Sequence, residues 1–284
     1  MKTLKTAFLL TALTLLLLFA GQIIAGQRGM TIALVFAIVM NGTAYFFSDK
    51  IALMSSGAQP ISREQSPRLY AVMERLAAKA NLPMPMLYMI PQPAPNAFAT
   101  GRNPSHASVA VTQGLMQLMD DEELEGVIAH ELSHVRNYDI LTSSIAATIA
   151  GAVTWIASMG RWAMIFGGWG GRDDNREGGG IAALLMLFLA PIAALLLQLG
   201  ISRQREYQAD ASGATMVGHP YGLIRALEKL GAYNKKIPMD VPPSTAALFI
   251  VAPLSARQFL SSLFSTHPPL ADRIARLQAM TITR

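Results

Sequence analysis

The sequence predicts a mainly helical membrane protein that carries a small α+β domain, and three observations support this. Hydrophobic residues make up 52% of the 284-residue chain and charged ones only 14%, whereas an average soluble domain is about 25% charged. The apolar excess is concentrated in four runs, Ala7 to Ala25, Met30 to Phe47, Ile140 to Gly160 and Ile181 to Ile201. Each is near the roughly 20 residues that a helix needs to cross a hydrocarbon core. Between the second and third runs, short strand-like segments give way to an amphipathic helix that contains His130-Glu131-Leu132-Ser133-His134.

The first two runs are separated only by Gln27-Arg28-Gly29, which predicts a tight hairpin of two membrane helices over residues 7–47 in preference to a cleavable leader behind Lys2 and Lys5. Lys2 and Lys5 precede it, Arg28 alone sits at its turn, and Lys50, Arg63, Arg68, Arg75 and Lys79 follow. This bias places both ends of the hairpin in the cytoplasm. Residues 48–139 then form the first part of the α+β domain. Ser62 to Ala80 has helical spacing, with Leu69, Val72, Met73 and Leu76 on one face, until Asn81-Leu82-Pro83 ends it. Met84 to Ile90, Ala97 to Thr100 and Ala107 to Thr112 read as strands of a small sheet.

Residues 140–201 form a second hairpin. Its first run is rich in Ala, Ser and Thr and its second carries Pro191 and Gln198, a composition that also suits packing inside a bundle. Gly167 to Gly180, rich in glycine and charge, reads as a flexible loop between the two. Residues 202–284 complete the domain, and within them Ala246 to Leu254 is apolar but too short to span.

The helix around His130 is marked independently of its histidines. Asp120 is placed to cap it, Asp121, Glu122 and Glu123 load its first turn with negative charge, and Asp120 with Glu123 has capping-box spacing. Leu124, Ile128, Leu132 and Val135 form its apolar stripe, and the two histidines lie off it. Imidazoles at i and i+4 leave one face a turn apart, the spacing with which a helix grips zinc. A structural histidine pair would leave Glu131, between them, as a charge without a purpose.

Zinc held at a catalytic site takes three protein ligands and leaves one position for water. The chain has no cysteine, so the third ligand is nitrogen or oxygen. His106 lies in a Pro-Ser loop and His219 precedes Pro220, both ordinary surface settings. Glu206 is better placed, on a helical stretch where it shares a face with Asp210. Position alone leaves it open between a ligand and a solvated charge. The net charge of +5 comes from scattered basic residues flanking apolar spans, which points to the lipid bilayer and away from nucleic acid.

HELSH, the downstream SRQREYQADASGA, the upstream NAFATG and the late STHPPLADRI, in that chain-wide arrangement, resemble the HtpX family of membrane zinc proteases, relatives of the CaaX prenyl proteases. The resemblance implies a zincin-like α+β catalytic domain on about four transmembrane helices. It implies one Zn2+ bound by His130, His134 and Glu206, with Glu131 as catalytic base. It places Asp210 behind a zinc-bound histidine, here His130, the alternative being an ion pair with Arg203 or Arg205. It gives His267 an oxyanion-stabilising or a structural role. Asn96, Ala97, Phe98 and Ala99 correspond to an edge strand on which a peptide substrate adds.

The function so implied is an endopeptidase of the bacterial inner membrane, its catalytic domain cytoplasmic, that acts on misfolded or damaged membrane proteins during stress. The alternatives are a catalytically silent scaffold or chaperone that retains zinc, and a prenyl-protein processing protease. A closed structural site needs a fourth ligand and cysteine is absent, which disfavours the scaffold. Charges within the apolar spans, the mark of an ion path, are essentially missing. If His130, His134 and Glu206 meet on one side of the membrane, the chain between them crosses an even number of times. Ile140 begins only about 9 Å of helix rise past His134, so the site lies close to lipid.

Overall fold

The computed structural model describes residues 2–166, 202–234, 236, 237, 239, 241–251 and 267–281. The first helical element, α1 (Lys2–Ser55), is broken at Ala25 (φ −144°) and Gly26 (φ +57°, ψ −141°). The latter is a backbone state essentially confined to glycine. The hairpin turn therefore sits just ahead of Gln27-Arg28-Gly29. Beside it the two arms touch backbone to backbone, and a Cβ on either Gly21 or Gly29 would run into the other's carbonyl. Farther along, Asn41 Nδ2 donates to Thr14 Oγ1 at 2.8 Å and ties the arms together.

Ala25–Ser55 is the one helix among the described residues that is long and apolar enough to cross a membrane. Ile32, Val35, Ile38, Val39 and Phe46 are exposed along it, as expected of a surface whose solvent is lipid. Helix α5 (Asp139–Phe166) buries Ile145, Ala146, Ile149 and Ala150 against Leu9, Leu13 and Ala44 of α1. The third apolar run thus packs in a bundle through its first turns. The loop predicted at 167–180, the run at 181–201 and residues 252–266 lie outside the described residues.

The sheet has the order β1-β2-β4-β3, from β1 (Gln59–Pro60), β2 (Met86–Ile90), β3 (Ala97–Gly101) and β4 (Ala107–Thr112). β2 runs parallel to β4 and β3 antiparallel to it, with Ala97 opposite Val111 and Ala99 opposite Val109. β3 is therefore an edge strand. The two-residue β1 has too little length to show a period in sequence. Helix α2 (Pro67–Lys79) starts five residues later than its spacing suggests, because Pro67 supplies the preset first helical position. Its Leu69, Val72, Met73 and Leu76 are buried as expected.

A short α3 (Gln113–Leu118) leads into α4 (Asp121–Arg136), the central helix. Its capping box is complete: Glu123 N donates to Asp120 Oδ1 and Asp120 N to Glu123 Oε2, both at 2.9 Å. Leu124, Ile128, Leu132 and Val135 are fully buried. Helices α6 (Arg203–Val217) and α7 (Tyr221–Asn234) cross α4 at glycines. A Cβ on Gly213 would lie 3.0 Å from His130 N, and one on Gly126 2.5 Å from Leu223 N. Without side chains there, α6 comes close enough for its own side chains to reach those of α4. A one-turn α8 (Pro243–Ala246) leads into a strap, residues 247–251, and α9 (Leu270–Gln278) closes the domain.

Candidate metal centre

Three side chains from two helices converge where α6 crosses α4. His130 Nε2 and His134 Nε2 are 3.2 Å apart. Glu206 brings Oε2 to 3.8 Å from the first and Oε1 to 3.5 Å from the second. Among the described residues this is the one cluster of histidine and carboxylate groups with metal-ligand geometry, its ligand atoms all within 4.8 Å of one another.

The outer ring nitrogens fix how the inner ones point. His130 Nδ1 lies 2.9 Å from Asp210 Oδ1, and His134 Nδ1 lies 3.4 Å from Asp139 Oδ2. A carboxylate can only accept from a ring N–H, so the hydrogen on each neutral imidazole sits on Nδ1 and the Nε2 lone pair faces inward. Asp210 is in turn gripped by Arg273, with Nε to Oδ2 at 2.8 Å and Nη2 to Oδ1 at 2.6 Å. Asp139 has Arg205 Nη1 at 3.5 Å. The ion pair made by Asp210 is thus with Arg273, not with Arg203 or Arg205.

Burial and these partners set the charge states. Burial pushes His130 down to about 4 against the pull of Asp210, so its imidazole is neutral at pH 7. Burial would raise Asp210, but the Arg273 guanidinium holds it down at about 2. Glu206 likewise stays well below the usual carboxylate range, because His267 and His134 outweigh its burial. His134 is raised: its burial is outweighed by Glu206, Asp139 and Glu131. The centre of the cluster is a place where positive charge is favoured.

A tetrahedral zinc at about 2.0–2.1 Å from each donor holds its ligand atoms about 3.4 Å apart. The two imidazole nitrogens are 3.2 Å apart, and the nearest Glu206 oxygens, Oε1 to His134 and Oε2 to His130, lie at 3.5 and 3.8 Å, with one ligand atom per residue all within 4.8 Å. Two imidazoles, neutral when they ligate, and a carboxylate are borderline-hard donors that suit zinc, and three leave a position free. The donor set therefore fits a catalytic zinc. The approach lies beside His134 and His267, whose side chains are 16% and 10% exposed against 1% for His130.

Glu131 is 2% exposed. Burial pushes it up to about 7, while His134 and the nearby Ala99 backbone N–H draw it down and Glu206 pushes it up. It thus stands between the metal cluster and the middle of β3. His267 Nε2 is 3.2 Å from the Ala247 carbonyl oxygen and Nδ1 is 3.2 Å from Glu206 Oε2, so the ring bridges the strap and a metal-ligand candidate. His106 is held in a surface turn capped by Asn103, whose Oδ1 accepts from His106 N, and His219 lies by Glu122, both away from the cluster. Of the residues predicted on the edge strand, Phe98 points into an apolar cluster against Phe249. Asn96 and Ala97 meet the strap: Asn96 Nδ2 donates to Val251 O at 2.7 Å, and Ile250 N to Ala97 O at 2.9 Å.

Asp139, Arg205 and Arg273 are parts of the site that spacing does not reveal. A sequence signal existed only for Asp139, a carboxylate five residues past His134 where the helix ends.

Residues 63–281 match the model of peptidase family M48. The chain is 58% identical over 273 residues to a protease HtpX homolog of Desulfatibacillum aliphaticivorans, covering 96% of this chain and 88% of that protein. It is 54% identical over 282 residues to one of Thermodesulfovibrio yellowstonii, covering 99% of each. Among solved structures it resembles S. mikatae Ste24p with a TM-score of 0.52 at 22% identity, covering 97% of this chain and 64% of that one. At that identity the likeness speaks for the fold.

Proposed function

We propose, for a chain that belongs to peptidase family M48 and is a metalloprotease, that it is a zinc-dependent endopeptidase of the bacterial inner membrane acting on misfolded or damaged membrane proteins. The observation that carries this reading is the convergence of His130, His134 and Glu206 beside a buried glutamate. His130, His134 and Glu206 hold the ion, and Asp210 and Asp139 keep the two rings turned toward it. Bound there, zinc supplies a Lewis acid that acidifies water and polarises a scissile carbonyl.

Glu131 is the general base. A carboxylate held near neutrality accepts the proton of the attacking water and returns it to the leaving amine, and no acyl-enzyme is required. It lies near the Ala99 N–H of the edge strand on which the substrate lies. His267 serves here as a brace, since both ring nitrogens are engaged by the protein itself.

The membrane reading rests on Ala25–Ser55, whose apolar face is largely exposed. We read residues 7–47 as the first hairpin and 140–201, which extends beyond the described residues, as the second, dividing the catalytic domain into 48–139 and 202–284. His134 and Glu206 stand 3.5 Å apart, so the intervening chain returns to the side it left. Helix α5, with 28 residues, has the length to cross. A site that starts this close to a membrane helix reaches the cytosolic loops of neighbouring membrane proteins. It would recognise them through backbone pairing, with little regard to side chains.

Co-reconstitution of the zinc-loaded protein with a multi-pass membrane protein tests this reading. Cuts are expected in exposed loops, at diverse sequences, lost with 1,10-phenanthroline and restored by zinc. One strict consensus across all cut sites, or cutting that survives the chelator, would refute it.

A further inference from the structure

The outer edge of β3 is divided in two by the strap, and the division has a consequence for how a substrate is held. Asn96 pairs with Thr112 through Thr112 N to Asn96 O at 3.0 Å. In an antiparallel ladder hydrogen-bonded and non-bonded pairs alternate. Phe98 and Thr100 therefore direct their backbone groups at β4, while Ala97, Ala99 and Gly101 direct theirs outward. One contact agrees directly, Ile250 N donating to Ala97 O at 2.9 Å, and the Ala99 N–H lies toward Glu131.

The Ala97 end of this edge is already filled. Its carbonyl is taken by Ile250 N, and its N–H donates to Asn96 Oδ1 at 3.1 Å. Asn96 also holds Val251, donating from Nδ2 to the Val251 carbonyl. The strap is no loose cover. Phe249 is fully buried edge-on against Phe98, Arg273 Nη1 donates to Ile250 O at 2.8 Å, and His267 Nε2 meets Ala247 O. At the other end, the Ala99 carbonyl and the Gly101 backbone have no partner among the described residues. All five residues of the strand are buried, and Ala99, at 7%, is the most accessible of its apolar ones.

We propose that the strap makes backbone recognition one-sided: a substrate pairs with β3 only at Ala99 and Gly101, on the acyl side of the scissile bond. This deepens the reading of β3 as the substrate strand and rests on it. A peptide that adds antiparallel to β3 runs its earlier residues toward Gly101 and its later ones toward Ala97. Glu131 under Ala99 puts the scissile bond just past the residue opposite Ala99. Residues before the cut then find two outward carbonyls, two strand positions apart, and residues after it meet Ile250 and Val251. The wall thereby determines specificity: it lets the leaving-side chain vary while the acyl side must be extended.

An ester scan of a single-cut peptide substrate tests the idea on the zinc-loaded full-length protein. Replacing one backbone N–H at a time by oxygen removes one donor without changing a side chain. The expected pattern is a loss of kcat/KM of about tenfold, the upper range for one net hydrogen bond, at two positions two residues apart, both before the cut. A comparable loss two residues farther on, past the cut, would show Ala97 open to substrate and overturn the one-sided wall. No loss at any position would instead remove the strand-pairing reading beneath it.

Discussion

Arg273 is fully buried, and its guanidinium makes two bonds to Asp210 and one to the Ile250 carbonyl. Arg273→Met keeps much of the volume and leaves the Asp210 carboxylate buried without its counter-charge. Breaking a buried pair from one side costs about 3–5 kcal/mol, because the remaining charge is stranded. At about 2–4 °C per kcal/mol for a chain of this size, the metal-free protein should unfold about 10 °C lower. Adding Asp210→Asn should recover most of that loss, since no charge is then stranded. Zinc affinity should not recover, because an amide in place of the carboxylate no longer fixes the His130 tautomer, and losing such a support costs about 10–100-fold. Thermal unfolding in detergent and competition with a chromophoric chelator read the two effects separately. A single Arg273→Met variant that unfolds within about 2 °C of the parent and binds zinc equally well would refute this account.

Asp139→Asn replaces the acceptor-only carboxylate behind His134 with an amide that can also donate, so it no longer fixes the tautomer and should weaken zinc binding by about 10–100-fold in the same competition, with helix content by circular dichroism unchanged. Gly213→Val puts carbon where His130 N stands 3.0 Å from even a single added Cβ; α6 must withdraw, so zinc stoichiometry should fall with no ligand changed. Asp210 is depressed from 3.8 to about 2, so the unfolded state takes up its proton first. Its contribution of about 2 kcal/mol is complete above pH 4 and is lost as the pH falls toward 2. Acid unfolding of Asp210→Asn should accordingly show a shallower pH dependence over that interval.

The central helix was legible because several local signals coincide on it. Asp120 and Glu123 cap it, Leu124, Ile128, Leu132 and Val135 bury it, and His130 and His134 stand off that stripe. The N-terminal hairpin was legible for a similar reason, since a short polar break between long apolar runs leaves few alternatives. Its turn lies slightly earlier because Gly26, not Gly29, adopts the left-handed backbone, and Gly29 serves close packing. Arg273 was not legible. It sits on the apolar-periodic α9 like any surface arginine, and only the tertiary fold brings it to a partner 63 residues earlier. Asn96 and Ala97 were read as places for substrate from the resemblance of NAFATG to an edge strand, and a local motif cannot say what covers that edge. The segment that meets them lies more than 150 residues downstream.

Casein cleavage by the zinc-loaded native chain beside Glu131→Gln, each with its bound zinc counted, tests the central claim most directly. The expected result is one zinc per chain in both and cleavage only by the native chain, since the substitution removes a proton acceptor and none of the three ligands. Equal cleavage by both at equal zinc would contradict Glu131 as the base, and no cleavage by either at full occupancy would contradict the protease itself.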